Sequence, residues 1–256
     1  MKVFSDYAQY YDLLNKQKDY RKEVDYITSL LNKFAPNRKD LLELGCGTGL
    51  HAIHLAEKGY NITGIDKSED MIYLAQKRAK TFPYSISNLI NFNVGDIRTY
   101  SANKSFDVAI SLFHVISYQI TNNDLNQSFN TVSKHLKQGG IFIFDCWYGP
   151  AVISDKPYNR NKKFENDEII INRQAMPKFH PTENQVDVHF DIAITNKQTG
   201  ESDTIKEIHR MRYLFNPEIK QLLKMNGLKL IHSEEWLTGN KSDFNSWYVT
   251  FICKRI

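Results

Sequence analysis

The sequence is poor in cysteine and contains no long apolar run. Its three cysteines, Cys46, Cys146 and Cys253, lie far apart and show no zinc-binding spacing. We therefore expect reduced thiols, as in a cytoplasmic protein, rather than a disulfide framework. No stretch approaches the roughly 18 apolar residues of a membrane span, and residues 1–7 lack the apolar core of a signal peptide. No repeat or low-complexity linker is present.

The chain also has little excess charge. It carries 33 basic and 29 acidic residues in a total of 256, so its charge gives no support to a nucleic-acid partner. The run of Asn or Asp, two prolines and an aromatic residue that acts on flipped bases is absent as well. His51 and His54 lie three positions apart without a further ligand set, so we expect no metal site.

The sequence does contain a glycine-rich turn between a short apolar strand and a helix. Glu43-Leu44-Gly45-Cys46-Gly47-Thr48-Gly49 ends the strand, and the helix is predicted over residues 50–58. Glycines at alternate positions permit a sharp turn and a close approach by a ligand. The start of the following helix offers unpaired N–H groups to a polar ligand.

An acidic residue ends the next predicted strand, residues 60–66. In nucleotide-binding βαβ units, an acid about 20 positions after the first glycine holds the ribose hydroxyls, and Asp66 has this position. The turn and the acid together indicate an adenosine-containing cofactor, although a strand–turn–helix connection without a ligand remains an alternative. A dinucleotide fingerprint requires glycine at its sixth position, where this chain has Leu50, so an NAD-dependent oxidoreductase is disfavoured.

Strands and helices alternate over the first part of the chain. Further strands are predicted at 90–96, 106–113 and 141–146. The nearly continuous apolar run at 106–113 is typical of a parallel sheet that is covered on both faces. From residue 150 the pattern changes, because no helix separates the next β-rich stretches, 168–173, 185–194 and 204–215. This pattern predicts an antiparallel layer. A helix at 217–225 and strands at 228–234 and 247–254 are predicted to close the fold.

The glycine turn resembles the first motif of the Rossmann-like S-adenosylmethionine (SAM) methyltransferases. Most of the chain resembles the bacterial N,N-dimethyltransferases that act on nucleotide-linked amino sugars. The matching segments are Tyr11-Asp12-Leu13, Lys18-Asp19-Tyr20, 45–54, 68–71, 95–98, 111–113, 136–140, Trp147 and the strand around His209. The chain departs from that family at Asp145, where glutamate is common.

The resemblance implies an α/β fold with a Rossmann-like, seven-stranded methyltransferase sheet, helices on both faces and an inserted antiparallel β layer. Residues 1–149 and 216–256 are expected to form the SAM-binding domain, in which residues 1–38 are an N-terminal helical arm. Residues 150–215 are expected to form an inserted subdomain that covers the acceptor site.

SAM is the expected cofactor. The glycines are predicted to admit its methionyl part, Glu43 to receive its amino group, Asp66 to hold the ribose, and Asp96 to hold the adenine. Tyr11 and Tyr20 are predicted to close over it. The full set of expected cofactor contacts is Tyr11, Tyr20, Glu43, Gly45, Cys46, Gly47, Gly49, Asp66, Lys67, Met71, Asp96, Ile97 and Leu112.

The acceptor is expected beside the residues that follow the fourth strand, because ligands of open α/β sheets bind outside the carboxyl ends of the strands. His114 is a candidate general base, with simple packing as the alternative, and Tyr118 is a candidate hydrogen-bond partner for an amine. Candidate substrate-binding residues are Phe113, Trp147, Tyr148, Arg173 and Arg210. Further candidates to bind a diphosphate are Lys156, Arg160 and Arg212.

The predicted function is SAM-dependent methylation of a small polar molecule, with the amino group of a nucleotide-linked amino sugar as the expected acceptor. Two alternatives stay open at this point. One is an N- or O-methyltransferase with a different small-molecule acceptor, and the other is a SAM-binding protein without catalysis. The sequence leaves the oligomeric state open between a monomer and a homodimer.

Overall fold

The computed structural model of the protein describes residues 8–256. The first seven residues, on which the expectation about a signal peptide rests, lie outside this part. Within the described part, no helix combines the length and the apolar character that crossing a bilayer requires.

Eleven strands of the described chain form two separate sheets. They are β1 (Asp40–Leu44), β2 (Asn61–Asp66), β3 (Ile90–Val94), β4 (Phe106–Ser111), β5 (Leu136–Trp147), β6 (Arg160–Glu165), β7 (Ile169–His180), β8 (Gln185–Asn196), β9 (Ser202–Arg212), β10 (Leu228–Glu235) and β11 (Tyr248–Arg255). The first sheet has seven strands in the order β10-β11-β5-β4-β1-β2-β3. Strands β1 to β5 are parallel, and β11 runs antiparallel to both of its neighbours.

Helices cover both faces of this sheet, as predicted. They are α1 (Tyr11–Leu14), α2 (Tyr20–Phe34), α3 (Leu50–Glu57), α4 (Glu69–Ala79), α5 (Tyr84–Ser87), α6 (Asn122–His135), α7 (Gly149–Ser154) and α8 (Asn216–Met225). Successive residues of β1 pack on opposite faces of the sheet. Leu42 packs in the core that contains α6 and α8, whereas Leu41 packs in the core that contains α2, α3 and α4. This alternation explains the continuous apolar character of the strand.

The second sheet is antiparallel and has the strand order β6-β7-β8-β9. The apolar pattern did not predict β6, because Phe164 is its one apolar residue and the strand lies at the edge of the sheet. The pattern also underestimated the length of β7, which continues through Pro177 to His180. Strand β6 pairs only with residues 170–175 of β7, so the end of β7 around Pro177 also lies at an edge. A sheet edge tolerates such polar and proline-containing segments better than a buried centre.

The N-terminal arm packs on the second sheet. Leu14 of α1 is buried in a cluster with Phe164, Ile171 and Ile192, and Tyr11 packs against the same cluster. Asp12 accepts a hydrogen bond from the Thr48 hydroxyl at 2.9 Å, so the arm also contacts the glycine turn. The arm, the second sheet and the carboxyl ends of the parallel strands thus meet at one place.

Candidate active site

A cavity of about 620 Å³ lies where the arm, the second sheet and the carboxyl ends of the parallel strands meet. This volume is in the range of small-molecule sites. Most of the residues predicted from the sequence lie on its wall: Tyr11, Tyr20, Gly45, Cys46, Gly47, Asp66, Lys67, Met71, Asp96, Ile97, Leu112, Phe113, His114, Tyr118, Trp147 and Arg173.

The three glycines of the turn have different surroundings, although all have positive φ angles. A Cβ atom on Gly47 would meet only the Tyr11 hydroxyl, at 4.0 Å, on the cavity side. A Cβ atom on Gly49 would lie 2.5 Å from Phe92 Cζ, and one on Gly45 would lie 2.5 Å from Val115 Cγ2. Gly47 therefore leaves space in the cavity, whereas Gly49 permits close packing behind the cavity wall.

Asp66 is fixed at the end of β2 by backbone hydrogen bonds. The N–H of Gly47 donates to its Oδ2 at 3.0 Å, and the N–H of Ser68 donates to its Oδ1 at 2.9 Å. Burial raises the pKa of Asp66, and the two N–H groups oppose this effect. The carboxylate is thus held against the glycine turn, where it can accept hydrogen bonds from vicinal hydroxyls.

Asp96 is held by Arg98. The Nη2 of Arg98 donates to Asp96 Oδ2 at 2.6 Å, and its Nε donates to Oδ1 at 2.9 Å. A further bond from Arg98 to Asp124, at 2.8 Å, orients the guanidinium. The hydrogen bonds from Arg98 lower the pKa of Asp96, so this carboxylate stays an acceptor that an exocyclic amino group can approach.

Glu43 does not line the cavity, in contrast to its predicted contact with the cofactor. Its side chain is buried in β1, where burial and the charge of Asp66 raise its pKa to about 8. Within the described residues its Oε2 atom has no hydrogen-bond partner. His51 is an ionisable neighbour, and its Nδ1 lies 3.8 Å from Glu43 Oε1.

Three residues that the sequence did not assign to the site connect the arm to helix α3. Lys18 and His51 both contact the carboxylate of Glu23, and the His51 Nε2 lies 2.7 Å from Glu23 Oε2. The Tyr20 ring packs edge-on against His51 at 4.9 Å. Lys18 and His51 belong to segments that matched the family, so these matches were the available signal. Across residues 8–256, His, Cys, Asp and Glu side chains form no group of three that could hold a metal ion.

The chain turns sharply after β4, and this turn places His114. Phe113 and His114 have φ angles of 62° and 63°, which for such residues costs on the order of 1–3 kcal/mol each. The backbone N–H of His114 donates to both oxygens of buried Asp145, at 3.1 and 3.3 Å. These bonds hold the strained turn in place.

The His114 ring lies between Asp145 and Tyr248. Its Nδ1 is 2.5 Å from Asp145 Oδ2. The two atoms are not aligned as a hydrogen bond, so the contact is electrostatic. The ring stacks on Tyr248 with centroids 4.3 Å apart. Asp145 was visible in the sequence as an acid at the end of a strand, but nothing linked it to His114.

Tyr118 also has a partner that the sequence did not name. Its hydroxyl is hydrogen-bonded to Nδ1 of His209 at 2.7 Å, and His209 lies on the cavity wall. His209 belongs to β9, so the second sheet contributes directly to the site.

The wall formed by the second sheet combines cations with aromatic rings. Lys162 and Arg173 are paired across β6 and β7, and both line the cavity. The guanidinium of Arg173 lies 5.1 Å from the ring centroids of Phe164 and Phe190. Lys162 is not among the residues predicted for the site, because the edge strand that carries it was not predicted.

Two predicted substrate residues lie away from the cavity. The Tyr148 ring is buried in the main core, where its hydroxyl accepts a hydrogen bond from Asn216 Nδ2 at 3.4 Å. Arg210 donates to Asp187 at 2.5 and 2.8 Å, and it faces away because it neighbours His209 on a strand, where side chains alternate. The further diphosphate candidates Lys156, Arg160 and Arg212 do not line the cavity either.

These observations fit an adenosine-containing cofactor. Gly47 leaves the space that a ligand needs, Asp66 presents a fixed carboxylate for ribose hydroxyls, and Asp96 presents a second one. His114 and Tyr118 lie on the same cavity wall near the second sheet. The arrangement can therefore hold a second molecule beside a cofactor and remove a proton from it.

Comparison with known proteins identifies the chemistry. A family model described as a methyltransferase domain matches residues 41–140. The chain is 25% identical to a dTDP-3-amino-3,4,6-trideoxy-alpha-D-glucopyranose N,N-dimethyltransferase from Streptomyces venezuelae, over 93% of this chain and 94% of that relative.

Two solved structures share the fold. A SAM-dependent methyltransferase from Clostridium acetobutylicum matches with a TM-score of 0.79 and 23% identity, over 99% of both chains. The sugar N-methyltransferase KedS8 from Streptoalloteichus matches with a TM-score of 0.80 and 18% identity, over 100% of this chain and 96% of that one. The predicted fold, cofactor and enzyme class are confirmed, and the protein is a SAM-dependent methyltransferase with a Rossmann-like fold.

Proposed function

We propose that the protein transfers a methyl group from SAM to the amino nitrogen of a nucleotide-linked amino sugar. The relative from Streptomyces venezuelae acts, by its name, on a dTDP-linked amino sugar. The observation that carries the proposal is the two-sided cavity. One wall has the glycine turn with Asp66, and the other has His114 and the cations of the second sheet.

The first wall would hold the cofactor. In this proposal Gly47 gives space to the methionyl part, Asp66 accepts from the ribose hydroxyls, and Asp96 accepts from the adenine amino group. Tyr11 and Tyr20 close the arm over the site. The remaining wall residues complete the contact: Gly45, Cys46, Lys67, Met71, Ile97 and Leu112. Bound SAM supplies a methyl group that its sulfonium already activates.

The second wall would hold the acceptor. Phe113 and Trp147 lie at the carboxyl ends of β4 and β5, next to the predicted base. Lys162 and Arg173 present two positive charges side by side, which suits a diphosphate. The rings of Phe164 and Phe190 next to Arg173 offer faces on which a nucleobase or a sugar can pack.

His114 would make the amine nucleophilic. An alkylammonium has no lone pair, so a proton must leave the nitrogen before it can attack the methyl carbon. The Asp145 carboxylate, 2.5 Å from the ring, stabilises the imidazolium that forms. The turn at residues 113–114 and the Tyr248 ring fix the imidazole, so that catalysis consists largely of holding the reacting atoms in line.

The same proposal covers organisation and location. Residues 1–38 would act as an arm that closes over the cofactor, and residues 150–215 as a subdomain that covers the acceptor. All three cysteines are free and buried, and we place the enzyme in the cytoplasm, where thiols stay reduced.

The test is transfer of labelled methyl from SAM to a panel of acceptors. The panel contains nucleotide-linked amino sugars, simple amines and sugar alcohols. Label in a nucleotide-linked amino sugar, with a mass increase of whole methyl groups, is the expected result. Label only in the amines or alcohols would overturn the amino-sugar assignment and leave the methyltransferase.

A further inference from the structure

Three side chains form a continuous hydrogen-bonded chain that runs from the cavity wall into the protein. The Tyr118 hydroxyl is 2.7 Å from His209 Nδ1, and His209 Nε2 is 2.8 Å from Glu207 Oε2. Tyr118 and His209 line the cavity, whereas Glu207 lies behind them with 4% of its surface exposed. Glu207 and His209 are two positions apart on β9, so they share one face of the strand.

The carboxylate gives this chain a direction. An ionised carboxylate accepts hydrogen bonds only, so the Nε2 of His209 must be its donor. In the neutral ring the Nδ1 atom is then the acceptor, and the Tyr118 hydroxyl donates to it. A proton that reaches the Tyr118 oxygen from the cavity can therefore pass to His209, where Glu207 stabilises the imidazolium.

We propose that Tyr118, with His209 and Glu207 behind it, is a second proton-accepting group for the acceptor amine. Tyr118 is the catalytic residue of this group, and His209 and Glu207 are positioning residues that act through its hydroxyl. The inference rests on the proposed function, because it requires an acceptor with an N–H bond next to Tyr118.

The proton and electron balance of the step is complete. The acceptor N–H bond breaks, its proton bonds to the Tyr118 oxygen, and the original phenolic proton moves to His209 Nδ1. The nitrogen keeps the electron pair and uses it to bond the methyl carbon, while the pair of the carbon–sulfur bond stays on sulfur. The imidazolium then releases the proton to solvent as product leaves.

Other groups around His209 affect how readily its ring takes up a proton. The Phe190 ring from β8 packs edge-on against His209 at 4.9 Å, and it limits water next to the imidazole. The Arg173 guanidinium from β7 contacts the same ring, 5.1 Å from its centroid. This cation opposes a second positive charge on His209, so the imidazolium depends on Glu207.

The experiment uses Glu207→Gln, which keeps the shape of the side chain and removes its charge. Turnover of the amine acceptor is measured across pH, together with SAM affinity by calorimetry. We expect kcat to fall about tenfold, less than the roughly 100-fold that loss of a whole acid–base group costs, because Tyr118 and His209 remain, with SAM affinity unchanged. The acid limb of the profile should move to lower pH by about one unit, because the imidazolium has lost its carboxylate partner.

A matched control is His189→Gln on β8. His189 lies between the wall residues Val188 and Phe190 in the sequence, so its side chain faces away from the cavity because side chains alternate along a strand. It should retain the wild-type profile, whereas His209→Gln should lose turnover as Glu207→Gln does. Tyr118→Phe removes a single oxygen atom and provides the same test if the β9 variants fold poorly. An unchanged pH profile in Glu207→Gln or Tyr118→Phe would overturn the proposal, as would a loss confined to the KM for the acceptor.

A measurement without acceptor separates this inference from the proposed function. The ring resonances of His209, followed by NMR, should titrate at lower pH in Glu207→Gln than in the wild type. If the titration of these resonances does not move, the proposal of a second proton-accepting group is wrong even when amines are methylated. If they move but no amine is methylated by the wild type, the proposed function fails instead.

Discussion

Two alanine substitutions in the glycine turn should mainly affect different properties. One should lower the stability of the fold, and the other should weaken SAM binding. Gly47 and Gly49 both have positive φ angles, 52° and 80°, so alanine at either position costs about 1–2 kcal/mol of backbone strain. On Gly49 the new methyl group would also lie 2.5 Å from Phe92 and 3.0 Å from Ala75. Overpacking of this kind adds about 1–3 kcal/mol.

Gly49→Ala should therefore lower the free energy of unfolding by roughly 2–5 kcal/mol, and Gly47→Ala by about 1–2 kcal/mol. Gly47→Ala should instead weaken SAM binding at least about tenfold, a loss of about 1.4 kcal/mol, because its methyl group enters the cavity. Urea denaturation without ligand measures the first effect, and calorimetric titration with SAM measures the second.

Gly59→Ala provides the control for backbone strain. Gly59 has a φ angle of 82°, and a Cβ atom added there would have no atom within 4 Å, so alanine at this position reports the conformational cost alone. If Gly49→Ala were no less stable than Gly59→Ala, the packing account of Gly49 would fail. Unchanged SAM affinity in Gly47→Ala would refute the assignment of this wall to the cofactor.

Three further predictions concern charged groups. The folded-state pKa of Glu43, about 8, exceeds its ordinary value of 4.5. The contribution of Glu43 to the free energy of unfolding, measured without SAM, should therefore be greatest below pH 4.5. It should fall by roughly 3–5 kcal/mol as pH rises to 8, and Glu43→Gln should flatten that slope in urea titrations at several pH values. His114→Ala should lower kcat about 100-fold with SAM affinity kept, and Asp145→Asn should lower it less; near-normal turnover in His114→Ala across pH would exclude the base role. Lys162→Ala should raise the KM for a nucleotide-linked acceptor about tenfold and leave that for a simple amine unchanged, whereas equal effects on both acceptors would exclude a phosphate contact.

The wall that we assign to the cofactor was predictable from the sequence because its signals are local. The glycine spacing and the position of Asp66 depend on one βαβ unit, so about 20 residues of sequence contain them. Within the same unit, the sequence could not separate Gly47 from Gly49. That difference depends on Phe92, which belongs to a strand more than 40 positions away and packs against Gly49.

The acceptor half depends on contacts between distant segments, which no local pattern records. Asp145 meets His114 across 31 positions, and His209 meets Tyr118 across 91. The face of β9 could have been inferred, however. Once His209 is placed in the site, strand alternation puts its neighbour Arg210 on the opposite face.

The polar strand β6 shows a different limit. Its sequence, Arg160–Glu165, has one apolar residue, so hydrophobic periodicity cannot identify it. It becomes a strand through its backbone pairing with β7. Lys162 was not predicted for the site for this reason, although it lines the cavity.

The most direct test of the account is a reaction with SAM that carries ¹³C in its methyl group and a nucleotide-linked amino sugar as acceptor. The carbon chemical shift of the product distinguishes an N-methyl from an O-methyl group. The account predicts the label on the amino nitrogen, with a rate that falls in His114→Ala. A label on a sugar oxygen, or no transfer by a preparation that binds SAM tightly, would contradict it.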